Sequence, residues 1–256
     1  MATTGPVFRR GIRRPQVLWT DDHRLRTTGR QLESEAGIGG SLGPIITPTT
    51  SIRQAIGMLG SDGGRLFFSE GVWIFDGSIS ASNPNIHFLS TSPGKTVFKR
   101  PSTSTTTTSL LTFTGDGVTI EGIRFIDEVK NALAVLRFEG DAATVKGCVF
   151  EDVKAGVYVT DANDSLIKCN RFQTVKDRAV EIDSSANVDG HLVNDNIFTP
   201  STDGDNDVYF GDDVSESGIF SNNFAPNGKI SYKAGKKNVG DETTNVIGPA
   251  NVTVRP

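Results

Sequence analysis

Residues 118–125 (VTIEGIRF) begin a repeat that decides the fold. The same pattern returns at 143–150 (ATVKGCVF), 165–172 (SLIKCNRF), 191–198 (HLVNDNIF) and 217–224 (SGIFSNNF). Each copy ends in phenylalanine, and the successive phenylalanines are 25, 22, 26 and 26 residues apart. A period in this range is typical of a solenoid built from stacked units.

Three positions of the repeat carry the same kind of side chain in successive copies. Phenylalanine ends each copy, a β-branched aliphatic residue stands five positions earlier, and asparagine stands two positions before phenylalanine in the last three copies. The columns are Phe125, Phe150, Phe172, Phe198 and Phe224; Ile120, Val145, Ile167, Val193 and Ile219; and Asn170, Asn196 and Asn222.

These columns predict an all-β fold, a right-handed parallel β-helix. Units of two or three short strands cannot bury their apolar side chains alone, but stacking them at a strand spacing of about 4.8 Å buries the side chains as ladders. Asparagine is expected in a turn, because it tolerates the left-handed conformation and can bond the asparagine one unit away. The right hand follows from the chirality of parallel crossovers. Leucine-rich repeats would need an LxxLxL frame, which is absent.

The chain divides into four predicted regions. We expect an extended basic N-terminal arm and a glycine-rich linker over 1–45, a short capping helix over 46–62, the β-helix over 63–235, and a C-terminal tail or terminal strands over 236–256. In the helical region (TPTTSIRQAIGMLG), the N-cap is predicted at Thr50 or Ser51 and the C-cap at Gly60. The expected apolar face contains Ile52, Ile56 and Leu59.

Composition excludes several classes of protein. The chain has 256 residues, of which 36% are hydrophobic and 22% charged, too apolar for a disordered protein. No apolar run is long enough for a transmembrane helix, so we expect no membrane partner. The N-terminal residues lack an apolar signal segment, and two cysteines form neither a disulfide framework nor a zinc site, which favours a reducing cytoplasm. We predict no cofactor.

The net charge of −4 is unevenly distributed. Residues 1–30 contain seven arginines and two aspartates, a net +5, which leaves −9 for the remainder. Such a basic block is typical of a segment that binds an acidic partner. No groove-reading element or stacking aromatic accompanies it, so we expect a protein partner and no nucleic acid. The predicted partner-binding residues are Phe8, Arg9, Arg10, Arg13, Arg14, Val17 and Trp19.

Four carboxylates are the candidate catalytic residues. Glu139, Asp161, Asp183 and Asp212 each follow the second apolar run of a unit, and stacking them could form an acidic stripe. Neighbouring carboxylates in such a stripe would lie about 5 Å apart, and pairs of carboxylates about 5 to 9.5 Å apart cleave glycosidic bonds. The favoured interpretation is that these residues begin turns, where aspartate bonds its own backbone, because units this short leave no long loops to enclose a sugar.

Metal and thiol chemistry is not predicted. The histidines His23, His87 and His191 are scattered without the spacing of a metal site. Cys148 and Cys169 are expected to fill adjacent places in the core of adjacent units.

The segment that follows the helix has the order GG, strand, EGVW, strand, NIHF, within residues 63–88. This order resembles the first coils of the pectate-lyase-like superfamily found in phage tailspikes, and the resemblance covers roughly residues 50 to 230. It implies a β-helix whose open end is covered by the helix. It also implies a virion protein that forms homotrimers.

We therefore expect a structural virion protein of a tailed bacteriophage, most specifically a capsid decoration (cement) protein. Its arm would anchor it to the major capsid protein, after assembly in the host cytoplasm, with no enzymatic step. Two alternatives stay open: a tailspike or tail-fibre module that binds or cleaves host surface polysaccharide, and a free pectate-lyase-like enzyme. The free enzyme is disfavoured, because the sequence lacks the clustered aspartates that a calcium-dependent lyase needs.

Overall fold

A computed structural model describes residues 43–74, 77–185, 187–199, 207–211, 214, 217–220, 222–224, 230–233 and 252–255. The elements in chain order are β1 (Ile45–Ile46), α1 (Ile52–Gly57), β2 (Gly64–Phe68), β3 (Gly71–Ile74), β4 (Ile79–Ala81), β5 (Ile86–Ser90), β6 (Thr96–Arg100), β7 (Leu111–Phe113), β8 (Thr119–Glu121), β9 (Arg124–Asp127), β10 (Leu136–Phe138), β11 (Thr144–Lys146), β12 (Val149–Glu151), β13 (Val157–Thr160), β14 (Leu166–Lys168), β15 (Arg171–Gln173), β16 (Val180–Asp183), β17 (Leu192–Asn194), β18 (Ile197–Phe198), β19 (Val208–Phe210), β20 (Gly218–Phe220), β21 (Asn223–Phe224), β22 (Ile230–Lys233) and β23 (Val252–Arg255).

The strands form three parallel sheets, each built from one strand of each successive turn of the chain. Sheet 1 has the order β1-β2-β5-β8-β11-β14-β17-β20, sheet 2 the order β4-β7-β10-β13-β16-β19-β22-β23, and sheet 3 the order β3-β6-β9-β12-β15-β18-β21. This arrangement confirms the predicted all-β parallel β-helix. Its right hand stays a prediction.

The aliphatic column lies in sheet 1 and the phenylalanine column in sheet 3, in the register that the repeat predicts. The rings of Phe150 and Phe172 stack with centroids 4.8 Å apart and planes 8° apart, and Phe172 stacks on Phe198 at 5.0 Å and 4°. Offset stacking of this kind adds to the burial of apolar area. Side chains that repeat in sequence therefore stack in the core.

The turn between sheets 1 and 3 is two residues long and explains the asparagine column. Its first residue is left-handed, with φ of 55° at Cys169 and 56° at Asp195, and its second is the buried Asn170 or Asn196. The expectation that asparagine itself takes the left-handed conformation is therefore wrong. The residue before it does, and this leaves the asparagine side chain free to point into the stack.

The buried asparagines bond each other as predicted. Asn170 donates from its backbone nitrogen and from Nδ2 to Asn196 Oδ1, at 2.9 and 3.1 Å. Asn196 makes the same two contacts with Asn222 Oδ1, at 2.9 and 3.0 Å. Each bond joins neighbouring turns, so the ladder fixes their spacing.

The helix is shorter than predicted. It begins after the N-cap Ser51, whose side chain accepts from the backbone of Gln54 in a capping box, and it ends at Gly57 with Met58 as the C-cap. Gly60 is therefore not the cap; it forms an isolated bridge with Gly63 instead. Ile52 is buried in the same apolar cluster as the strands. Ile56 and Leu59 pack against that cluster.

A buried ion pair joins two longer turns of the solenoid. The side chains of Arg100 and Asp127 are fully buried, with Arg100 Nε 2.7 Å from Asp127 Oδ1 and Arg100 Nη2 2.6 Å from Asp127 Oδ2. Arg100 Nη2 also donates to Asn131 Oδ1 at 2.7 Å, and Arg100 Nη1 contacts the carbonyl oxygen of Thr106. A buried charge requires this degree of pairing.

The ends of the chain are described only in part. The arm lies outside the described residues, whereas β23 pairs in parallel with β22 and so adds a strand to sheet 2 within the region 236–256. Within the described ranges, no helix is long and apolar enough to span a membrane.

Candidate functional site

The arm residues Phe8, Arg9, Arg10, Arg13, Arg14, Val17 and Trp19 and the carboxylate Asp212 lie outside the described residues. Their predicted roles stay predictions. The other three candidate carboxylates lie at the C-terminal ends of strands in sheet 2: Glu139 follows β10, Asp161 follows β13, and Asp183 is the last residue of β16.

Sheet 2 does not align the three carboxylates in one column. Asp183 lies opposite Thr160 of the preceding strand, and Phe138 lies opposite Val159, so Glu139 shares the position of Thr160 and Asp183. Glu139 and Asp183 are therefore two strands apart, about 9.6 Å along the sheet. Asp161 comes one residue later and lies outside this column.

Each of these carboxylates has structural partners. Glu139 Oε1 lies 2.9 Å from Arg137 Nε. Asp161 Oδ1 accepts from Ser184 Oγ at 2.8 Å and from the backbone nitrogen of Ser185 at 2.9 Å, one turn along the chain. The bond from the Ser185 backbone and those from the Ser184 and Ser185 hydroxyls lower the pKa of Asp161. Asp161 thus remains ionised and holds a turn together.

A second set of side chains, which the sequence analysis did not select, lies on the outer face of sheet 2. Arg137, Tyr158, Glu181 and Tyr209 share one register position on four neighbouring strands. All four are half-buried. We call these four residues the tyrosine column.

Two arginines lie over the tyrosine rings. The Cζ atom of Arg137 is 5.5 Å from the ring centroid of Tyr158, and that of Arg178 is 4.1 Å from the ring centroid of Tyr209. Arg178 also contacts Glu181 through an ion pair. Cation–π and charge contacts therefore connect the column.

Burial raises the pKa of Glu181, and the nearby Asp183 and Asp177 carboxylates act in the same direction against the opposing effect of Arg178. Carboxyl groups with a raised pKa occur at functional sites and also in structural ion-pair networks, such as the one that Glu181 forms with Arg178. The alternation of the runs GVYV, AVEI and DVYF could have revealed the column, since their third residues face outward in each strand.

The cysteines and histidines do not form a cluster. Cys148 is buried, which raises the pKa of its thiol to about 12, as expected of a core residue. Cys169 is exposed, so its predicted place in the core is wrong: it occupies the left-handed turn position, and Asn170 takes the buried one. His191 is buried, and among the described residues no three His, Cys, Asp or Glu side chains are placed to hold a metal ion.

The fold and its columns define a parallel β-solenoid protein. The chain belongs to the NosD family: the family model described as periplasmic copper-binding protein (NosD) matches residues 45–250. No curated protein sequence matches the chain.

Solved structures share the fold at low sequence identity. The catalytic domain of a GH87 α-1,3-glucanase in complex with nigerose superposes with a TM-score of 0.58 and 13% identity, over 76% of this chain and 37% of that chain. The protein ORF18 of Geobacillus virus E2 gives a TM-score of 0.56 and 14% identity, over 77% of this chain and 47% of that chain. The chain thus spans less than half the length of either neighbour.

The described residues do not fit copper. Copper in proteins is held by sulfur and imidazole ligands that converge on one point. Cys148 and Cys169 occupy different positions of the turn, one buried and one exposed, and the described part of the chain brings no group of three ligands together. We therefore assign no copper chemistry to this region.

Proposed function

We propose that the protein is a structural component of a tailed-phage virion, a capsid decoration protein in which residues 1–30 bind the major capsid protein and the solenoid projects as a rigid body. The observation that carries the proposal is that the candidate carboxylates are engaged in ion pairs and turns: Glu139 with Arg137 and Asp161 with Ser184 and Ser185. Such contacts suit a structural part better than a reaction centre. The shared fold with a phage protein is consistent with this role.

In this proposal the protein acts as a homotrimer. Three basic arms on one body bind with a high effective concentration, so three weak attachments become one strong attachment. Because the arm carries a net +5 charge, the attachment is screened by salt.

The test is deletion of residues 2–30 followed by co-sedimentation with virus particles. We expect binding to be lost, because the arm supplies the contacts. A matched variant replaces Arg9, Arg10, Arg13 and Arg14 with glutamine and keeps the chain length. This variant should bind more weakly and with a weaker salt dependence, because Arg24, Arg26 and Arg30 remain. Full binding by the truncated chain would refute the attachment role of the arm.

A second function is favoured by the tyrosine column. Tyr158 and Tyr209 flank Glu181 on the outer face of sheet 2, two strand spacings or about 9.6 Å apart. Aromatic rings beside carboxyl groups suit the binding of a saccharide chain, so host surface polysaccharide is the alternative ligand, bound or cleaved by a tailspike module.

The two functions are separated by polysaccharide assays. If the second function holds, Tyr158→Ala with Tyr209→Ala should abolish binding of host surface polysaccharide. Cleavage should be lost in a triple variant with Glu139→Gln, Asp161→Asn and Asp183→Asn. The control is Thr112→Ala, two strands before Tyr158 on the same face. An intact protein that neither binds nor cleaves these polysaccharides would eliminate this function and leave the first unaffected.

A further inference from the structure

One ring of the tyrosine column is covered by another side chain of the same protein. The Cζ atom of Arg178 lies over the ring of Tyr209, 4.1 Å from its centroid. The corresponding distance from Arg137 to the ring of Tyr158 is 5.5 Å. A guanidinium group in van der Waals contact with a ring occupies the face on which a flat ligand would stack. Tyr209 is therefore covered on one face, and Tyr158 is approached less closely.

Two interactions hold the guanidinium group of Arg178 in this place. It makes a cation–π contact with Tyr209, and its Nη1 atom forms an ion pair with Glu181 Oε1. The side chains of Arg178 and Glu181 are only 26% and 18% exposed. Because water and salt have little access to this pair, its attraction is screened less than at a fully exposed site. The charge of Glu181 therefore helps to keep Arg178 over the ring.

The backbone around Arg178 is fixed by the preceding turn of the solenoid. The carbonyl oxygen of Arg178 accepts from the backbone nitrogen of Gly156 at 3.1 Å, and the backbone nitrogen of Asp177 donates to the carbonyl oxygen of Lys154 at 2.7 Å. The guanidinium group can therefore leave Tyr209 by rotation about side-chain bonds alone. Rotations of this kind are fast and leave the stack of strands unchanged.

The surroundings of Glu181 favour its neutral form. Burial raises the pKa of Glu181 against the opposing effect of Arg178, and the carboxylates of Asp183 and Asp177 raise it further. On the neighbouring strands β13 and β19, the residues in register with Glu181 are the two tyrosines of the column, neither of which is a cation. As the pH falls, Glu181 thus takes up a proton before an ordinary glutamate does.

We propose that Arg178 controls access to Tyr209: it covers the ring while Glu181 is ionised, and it moves into solvent when Glu181 takes up a proton. Protonation removes the charge that compensates for the partial burial of the guanidinium group. The ring of Tyr209 then becomes open to a stacking ligand. The inference rests on the tyrosine column of the second proposed function and assigns the regulation of that site, with stronger saccharide binding at acidic pH.

The test measures access to Tyr209 by hydroxyl-radical labelling and mass spectrometry of the full chain at pH 7.5 and 4.5. Met58, which is 58% exposed near the N-terminal helix, is the internal reference. Labelling of Tyr209 in the wild type is expected to rise about two- to fivefold at pH 4.5, the factor that loss of one ion pair supplies. Glu181→Gln removes the charge at both pH values and should give the higher labelling at both.

The matched control is Glu151→Gln, which removes the partner of Arg124 on the outer face of sheet 3, where Arg124 Nε is 2.7 Å from Glu151 Oε2. This variant should retain the wild-type labelling of Tyr209 and its pH dependence. Far-UV circular dichroism establishes that each protein is folded at the pH values compared. If Glu181→Gln does not fold, Arg178→Gln replaces it, and it should also give high labelling at both pH values.

Equal labelling of Tyr209 in the wild type at the two pH values overturns the inference. So does a wild-type pH dependence in the folded Glu181→Gln or Arg178→Gln variant, or loss of the pH dependence in the control. Because no polysaccharide takes part, these outcomes are distinct from a failure of the tyrosine column to bind saccharides.

Discussion

At the scale of the residue, the fold sets the charge state of one buried side chain, His191. It is 1% exposed, its backbone nitrogen donates to Ser217 Oγ at 3.3 Å, and its Nδ1 accepts from the Ser165 backbone at 3.4 Å. Burial lowers the pKa of His191 to about 4, although the Asp164, Asp189 and Asp141 carboxylates favour the charged form. The imidazole is therefore neutral in the folded protein near pH 7.

Acid should destabilise the protein through His191. Because the folded pKa is about 4 and the ordinary value is 6.5, the unfolded chain binds the proton first as the pH falls. The contribution to stability is complete above pH 6.5 and decreases toward pH 4, by about 2 to 3 kcal/mol. Urea unfolding at pH 7.5 and 4.5 should show this loss in the wild type.

The comparison variant is His191→Gln, whose amide oxygen can accept from Ser165 without titrating. The free energy of unfolding of this variant should fall less between the two pH values, by the contribution of His191. Identical pH dependence in the two proteins would contradict the assignment of this loss to His191, because all other titrating groups are the same in both.

At the scale of the element, the asparagine ladder holds the turn between sheets 1 and 3. Asn196 is fully buried; its Oδ1 accepts two bonds from Asn170, and its Nδ2 donates to the carbonyl of Ile167 at 2.9 Å and to Asn222 Oδ1. Both N–H donors and both acceptor positions of its side-chain amide are thus used, by the turn before it and the turn after it. The element is stable because each turn satisfies the backbone of the next.

Asn196→Ala should destabilise the protein by about 3 kcal/mol, because it leaves the buried Asn170 amide and Ile167 carbonyl without partners. Urea unfolding measures the change, provided that the slope with denaturant is unaltered. The control is Asn194→Ala, two residues earlier on the outer face, which should change stability by about 0.5 kcal/mol or less. Equal effects of the two substitutions would show that the ladder does not stabilise the turn.

At the scale of the whole molecule, the solenoid is a one-dimensional stack. Each strand pairs only with the equivalent strands of the turns before and after it, as with β12 between β9 and β15. Stability in such a stack is the sum of each unit and its contacts with its neighbours. The number of turns is therefore not fixed by contacts between distant parts of the chain.

Removal of one complete turn should leave a folded solenoid. Deletion of residues 151–172 brings Gln173 into the place of Glu151, with which it is in register, and restores every column. Far-UV circular dichroism should retain the β-sheet spectrum, and unfolding should remain cooperative at lower stability. Deletion of residues 151–161 removes half a turn, breaks the columns and should abolish folding. A complete-turn deletion that fails to fold would refute this view of the stack.

The repeat in the sequence predicts the sheets, the core columns and the period, because a stack of parallel strands places equivalent residues of each unit on top of one another. Phe150 and Phe172 could be paired from their spacing alone, as could Asn170 and Asn196. Contacts between polar residues outside these columns depend on the tertiary structure. Asp161 lies outside the column of Asp183 because Thr160 is the residue of β13 that pairs with Asp183, and Asp161 follows it.

Other features of the structure also could not be predicted from the repeat. Arg100 and Asp127 are in register on β6 and β9, but their contacts with Thr106 and Asn131 depend on the path of two long turns. Cys169 is exposed because the two-residue turn buries its second residue and not its first. Repetition thus predicts contacts between equivalent positions, whereas contacts between different positions require the folded backbone.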